Sequence, residues 1–130
     1  MADSIFTKII KGEIPSYKIY EDERTYAFLD IHPIQPGHVL VVPKNQIDHV
    51  WDLPPEDYRA VMDTVQKVAN RLRKVFNPVR VGVHIIGIDV PHAHVHVFPF
   101  NTIEQYRRVA DTQAAPDHKS LAEMAQKLAF

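Results

Sequence analysis

Three histidines at alternate positions, His92, His94 and His96, stand in the run Pro91-His-Ala-His-Val-His-Val-Phe-Pro99 and form the densest chemical feature of the chain. On a β-strand, residues i, i+2 and i+4 leave the same face at a rise of about 3.3 Å per residue, so the three imidazoles would make one row. Ala93, Val95 and Val97 would point the other way, into a core. Neutral imidazole is a nucleophile and a proton carrier near neutral pH, because its unperturbed pKa is about 6.5. The row suits attack on phosphorus, proton relay or metal binding, and the plain alternative is a polar strand face. Metal binding ranks below phosphoryl chemistry, because alternate residues of one strand span too great a length to close around one ion. A carboxylate would have to join from elsewhere, and Asp30 and Asp89 are the candidates.

The elements that position this row follow from periodicity and punctuation. Asp3 and Ser4 can cap a short helix carrying Ile5, Phe6, Ile9 and Ile10, stopped by Gly12, and Pro15 forces an extended exit. Tyr17 to Tyr20 and Thr25 to Asp30 read as strands around the charged turn Glu21-Asp22-Glu23-Arg24. His38 to Val42 reads as a third strand ended by Pro43, after a loop, His32 to Gly37, marked by its prolines and glycine. From Pro55 to Phe76 apolar residues recur at three- and four-residue steps, which predicts one long helix with Pro55 in its first turn. Val79, Val81, Val83 and Ile85 alternate with Arg80, Gly82 and His84 as a fourth strand, and Val90 to Pro99 gives a fifth. Pairing of consecutive strands is the economical topology. Residues 101–116 read as a polar mobile loop, and Leu121, Met124, Ala125 and Leu128 mark an amphipathic helix within 117–130. The expectation is one α+β domain over 1–130, with its core in 3–100. Its sheet is antiparallel with about five strands, accompanied by a short N-terminal helix, one long helix and a C-terminal helix.

With 130 residues the chain suits a single core. Lys and Arg total 15 against 16 Asp and Glu, a formal charge of -1, so no global positive field is available to hold long nucleic acid. A local pocket can still take a small anion. Absence of cysteine excludes disulfides and thiolate metal sites and is compatible with a reducing compartment. The opening residues lack the basic start and apolar stretch of a signal peptide, and no run approaches the roughly 20 apolar residues of a membrane span. A cytoplasmic location is expected.

His-x-His-x-His followed by apolar residues resembles the motif of the histidine triad hydrolases and transferases. Three upstream blocks resemble the same family in order and spacing: Asp3 to Pro15, Tyr26 to Pro33 and Pro36 to Lys44. The resemblance covers about residues 3 to 100 and implies the family's fold. It also implies an activity on purine nucleoside phosphoramidates or related mononucleotide conjugates, through a covalent nucleotidyl-histidine and with no metal or cofactor. By position the nucleophile is His94, the groups on the phosphate oxygens and leaving group are His96 and His38, and His92 is a scaffold for the central ring. Asp30 matches the acceptor for the ribose hydroxyls, and Ile5, Phe6, Ile9 and Phe28 match the lining of the base site. Family members are usually homodimers joined through the long helix and a strand, so a homodimer is expected.

Departures from the pattern fall close to the phosphate. The family's Gly-Gln-Ser/Thr-Val-x-His stretch reads Gly87-Ile-Asp-Val-Pro-His92 here, which puts Asp89 at the hydroxyl position. An ionised carboxylate repels phosphate, so Asp89 is expected to turn away toward backbone amides or His84, or to recognise a cationic leaving group, while its backbone N–H serves the phosphate. The Cys-x-x-Cys that holds zinc in some bacterial relatives is replaced by Ser4 and Thr7, leaving His49 an ordinary loop residue. His32 and His118 read as surface or turn residues, and His84 has no assigned role.

Overall fold

A computed structural model describes residues 2–130. The chain runs α1 (Ile5–Ile10), β1 (Lys18–Glu21), β2 (Thr25–Leu29), β3 (Val39–Pro43), α2 (Pro55–Phe76), β4 (Arg80–His84), β5 (Val95–Phe100), α3 (Ile103–Arg107) and α4 (His118–Leu128). All strands join one antiparallel sheet in the order β1-β2-β3-β5-β4. Consecutive pairing therefore holds for β1-β2-β3 and for the β4-β5 hairpin but fails between β3 and β4. The cause is α2, whose 22 residues carry the chain about 33 Å at 1.5 Å per residue. It delivers β4 one strand beyond β3, and β5 returns into the gap.

Helix α2 lies where its periodicity predicts. Pro55 stands in the first turn with Glu56 and Asp57, Arg73 and Lys74 stand in the last, and each pair complements the helix dipole. Asn77 ends the helix in the left-handed region at φ 49°, its N–H bonded to the Arg73 carbonyl. Val61, Val68 and Leu72 are buried on one stripe and pack on Ala27, Leu29, Val39, Val41, Val95 and Val97. Leu121 and Leu128 of α4 extend the same core. The opposite face of the sheet carries Tyr26, Phe28, Leu40 and Val42 and is covered by Phe6 and Ile9 of α1. With both faces covered, every residue of β2 and β3 is buried, which explains their near-continuous apolar character.

Apart from one-residue shifts at the ends of β1 to β4, Pro43 among them as the last residue of β3, two expected segments change. Strand β5 begins at Val95 rather than Val90. Pro91 has no N–H to give a neighbour, Gly87 turns the chain at φ 72°, and the N–H of Ala93 bonds the Ile47 carbonyl outside the sheet. Residues 101–116 are not wholly loop. Thr102 caps α3 by accepting from the N–H of Gln105, and Tyr106 anchors it. The Tyr106 ring stacks on Phe98 at 5.5 Å between centroids, meets His84 edge-on at 4.7 Å, and its hydroxyl donates to the Val83 carbonyl. Among the described residues no helix is long and apolar enough to cross a membrane.

Candidate active site

The period of two in the histidine run survives the shortened strand. Ala93, Val95 and Val97 belong to the core beneath α2, while the His92 and His94 rings lie against Phe6 on the opposite side. His96 is on that second side too, across from Leu40 of β3 and from His84 of β4 in the ladder register. His38, one residue before β3, shares the side and touches the His96 ring at 5.1 Å.

Hydrogen bonding assigns the proton on each ring, because a carbonyl accepts and an amide donates. His92 donates from Nε2 to the Pro43 carbonyl at 2.7 Å, which leaves Nδ1 to accept the Ser4 hydroxyl at 2.7 Å. His94 donates from Nδ1 to the His92 carbonyl at 2.7 Å, so its Nε2 lone pair is free. On His38, Nδ1 accepts the N–H of Ile34 at 3.0 Å, so Nε2 carries the proton and donates to His96 Nδ1 at 2.9 Å. His96 must then bear its proton on Nε2. One edge of the site offers a lone pair and the neighbouring ring offers an N–H.

Burial favours the neutral form of His38, His92 and His96. Loss of hydration pushes the pKa of His38 down to about 3 and that of His96 down to about 4, with neighbouring histidines adding to both shifts. His92 is lowered chiefly by burial as well. Asp30 moves the other way, because desolvation of its carboxylate outweighs the N–H it accepts from His32 at 2.8 Å.

Two cavities meet at these rings. The first, about 250 Å³, is lined by all of the expected nucleotide-site residues, Ile5, Phe6, Ile9, Phe28, Asp30 and Asp89, together with His94 and His96. The second, about 510 Å³, shares Asp30, Asp89 and His96 and adds His38, His84, Tyr106, Arg107 and Arg108. His92 lines neither and is fully buried beneath His94.

Asp89 departs from expectation. Its side chain stays largely exposed, and Oδ1 stands 3.5 Å from His94 Nε2, facing the free lone pair instead of turning to backbone amides or to His84. Gly87 and Pro91 bracket the loop and hold Asp89 over the ring. Asp30, His38 and His96 also bring one ligand atom each within 4.8 Å of one another. That set fits a cation poorly, since the two imidazole nitrogens nearest each other share a hydrogen bond that a metal would have to break.

Several contributors escape a reading by motif. Ser4, Thr7 and Gln46 form a polar cluster under His92: Thr7 Oγ1 donates to Gln46 Oε1 at 2.7 Å, and Ser4 Oγ reaches the ring. The signal in the sequence is that Ser4 and Thr7 are hydroxyl residues three positions apart at the start of α1, with Ser4 suited to its cap. His84 belongs to the site by strand parity with Gly82 and Arg80, and its buried Nδ1 has no hydrogen-bond partner among the described residues. Tyr106, Arg107 and Arg108 lie in the segment expected to be loop, where one aromatic in a polar stretch is the sole hint. His49 is the cap position of a 3-10 turn at Val50–Asp52, and His118 opens α4 beside Tyr17.

A family model described as HIT domain matches residues 11–103. The adenosine 5'-monophosphoramidase HNT1 of Candida albicans is 32% identical over 136 aligned residues, covering 98% of this chain and 90% of that protein. Protein hit of Bacillus subtilis is 40% identical over 102 residues, covering 73% and 69% respectively. A crystal structure of a Hit-like protein involved in cell-cycle regulation from Bartonella henselae superposes with a TM-score of 0.84 at 32% identity, covering 97% of this chain and 93% of that one.

Proposed function

Because the chain belongs to the HIT domain family, whose members carry the histidine triad, we propose that it hydrolyses purine nucleotide conjugates through a nucleotidyl group held on His94. The observation that carries this reading is the geometry of His94, a buried imidazole in the wall of the smaller cavity whose Nδ1 faces the His92 carbonyl and whose Nε2 is left for phosphorus, next to His96, which lines both cavities. His94 Nε2 bonds to the phosphorus, and the P–N or P–O bond breaks with its electron pair on the leaving atom. That atom takes up a proton drawn from solvent through His96, whose Nε2–H faces the reaction. Water then adds its oxygen to phosphorus, the P–Nε2 pair returns to His94, and the surplus proton goes back to solvent. One water is consumed overall.

The other residues support those two displacements. His38 holds His96 in the tautomer that donates, and the His92 carbonyl holds the His94 proton on Nδ1 through both steps. Asp30 offers carboxylate oxygens to the ribose hydroxyls, and Phe6 and Phe28, in edge contact at 5.5 Å, wall the base site. A homodimer built on α2 and the open edge of β4, in the cytoplasm, fits the same reading. One observation favours a second reading, a nucleotide-binding protein with little catalysis: the Asp89 carboxylate stands 3.5 Å from His94 Nε2, the atom that this reading bonds to phosphorus.

The deciding experiment offers AMP and GMP conjugates with varied leaving groups to the wild-type protein and to His94→Ala. Turnover lost in the variant with its melting curve kept, and acid-quenched wild type carrying one nucleotide on the His94 peptide, are the expected results. Full activity in His94→Ala overturns the proposal. Tight binding without turnover across the panel favours the second reading, and chelator-sensitive turnover with stoichiometric zinc favours a metal-dependent hydrolase.

A further inference from the structure

In an in-line displacement the leaving atom departs from the side of phosphorus opposite the nucleophile. His94 lines only the smaller cavity, His38 lines only the larger, and His96, Asp30 and Asp89 line both. Phosphorus attacked by His94 therefore sits over the shared wall, and the leaving group enters the larger cavity. At about 510 Å³ that space holds much more than an ammonia or a water. Ile34, Ile86, Val109 and the Tyr106 ring give it an apolar lining.

Its charges are divided. Asp30 and Asp89 belong to the wall shared with the nucleoside side, whereas Arg107 and Arg108 come from the last residue of α3 and the position that follows it. Neither guanidinium takes part in an ion pair or a side-chain hydrogen bond among the described residues. Lone arginines are common on surfaces, but here two adjacent ones line the same cavity, and Tyr106 fixes the helix that carries them. Guanidinium presents a planar fork of donors matched to carboxylate, sulfate or phosphate oxygens.

We propose that the larger cavity is a leaving-group site in which Arg107 and Arg108 select conjugates whose leaving group has an apolar body ending in an anionic group. The carboxylates at the shared wall set the polarity along the cavity: an anion is disfavoured next to phosphorus and favoured at the α3 end. This rests on the proposed nucleotidyl hydrolysis and adds the substrate class to it.

The test compares kcat/KM for AMP phosphoramidates of aminopentanoate, of its methyl ester and of the matching diamine, with aminopentyl sulfate and aminopentyl phosphate as further arms. Wild type is expected to favour the anionic tails over the ester by about fivefold or more at low salt, the range open to two partly exposed ion pairs. The ratio should fall toward one in Arg107→Ala/Arg108→Ala and persist in Arg107→Lys/Arg108→Lys, and the fastest anionic arm identifies the group. Equal rates for acid and ester in wild type, a preference for the diamine, or a preference that survives the alanine pair overturns the inference while leaving the hydrolysis intact. No turnover of any arm overturns both.

Discussion

Replacing Ser4 by alanine tests whether the protons on the triad are set from beneath. The Ser4 hydroxyl lies 2.7 Å from His92 Nδ1 and accepts from the N–H of Thr7 at 3.0 Å, so one oxygen both caps α1 and satisfies a fully buried ring nitrogen. Losing the cap costs about 1 kcal/mol, and leaving a buried acceptor unpaired costs about 1–3 kcal/mol. Thr7 Oγ1, 3.4 Å from the same nitrogen, can recover part of the second loss. The sum is then about 2–3 kcal/mol, which for a domain of this size lowers Tm by roughly 6–12 °C. Turnover should also fall, because a His92 ring held only through its Nε2–H on the Pro43 carbonyl fixes less firmly the backbone carbonyl that His94 Nδ1 donates to. A displacement near 1 Å at a reacting centre is worth up to about 100-fold. Thermal melts and single-turnover rates measured on Ser4→Ala and Ser4→Thr decide it, with threonine expected to restore both because it keeps the hydroxyl. A Ser4→Ala protein that melts within about 2 °C of wild type and turns over at the same rate would show that His92 Nδ1 needs no partner below, and the idea that the triad is supported from α1 would fall with it.

Acid should destabilise the fold in a defined window. His38, His92 and His96 have folded pKa values below the unfolded value near 6.5, so the unfolded chain binds more protons as pH drops below about 6.5 and stability falls by up to about 1.4 kcal/mol per pH unit for each ring. The loss levels off as His96 and then His38 protonate, near 4 and 3, and Asp30, raised in the fold, opposes it at the acid end. Urea melts from pH 7.5 to 4.5 check the slope, and a flat profile through pH 6 contradicts the buried neutral rings. Asp89→Asn should lower KM for anionic substrates about fivefold, since unit charges 4 Å apart in water repel by about 1 kcal/mol, and added salt should shrink the difference. A raised KM would mean that the carboxylate holds substrate. Gly82→Ala places a Cβ 2.6 Å from Tyr106 Cε1 and 2.9 Å from Phe100 Cε1, so Tyr106 must leave its stack. Stability should drop by about 1–3 kcal/mol, with faster proteolytic cleavage after Asn101 as the local signature.

How much of this is legible in the sequence depends on the range of the interaction that decides each feature. Pro55–Phe76 is helical at both predicted ends because its caps, dipole charges and apolar stripe are all written within it. The side on which each triad ring lies is also legible, since parity along an extended chain needs no knowledge of the neighbouring strand. The start of β5 is not, because alternation looks the same whether or not a partner pairs, and the N–H of Ala93 is claimed by Ile47, 46 positions away by number. The order β3-β5-β4 is hidden for the same reason, being a consequence of where α2 sets the chain down.

The site divides along the same line. Ile5, Phe6, Ile9, Phe28, Asp30, Asp89, His94 and His96 meet around one cavity, while His38 lines only its neighbour and His92 lies buried beneath both. Ser4 and Asp89 show what a motif leaves out. Asp89 stands where the resemblance expects a hydroxyl, and Ser4 carries no role in that resemblance, so either position could have been empty of function. Instead Ser4 supplies the hydroxyl that meets a buried imidazole, and Asp89 faces His94 from the loop between Gly87 and Pro91. Backbone geometry is inherited by the position and chemistry by the side chain. An acid at position 89 therefore brings a negative charge to the wall of the larger cavity that Arg107 and Arg108 of the α3 end also line, which is why the Asp89→Asn and arginine variants are read against the same set of conjugates.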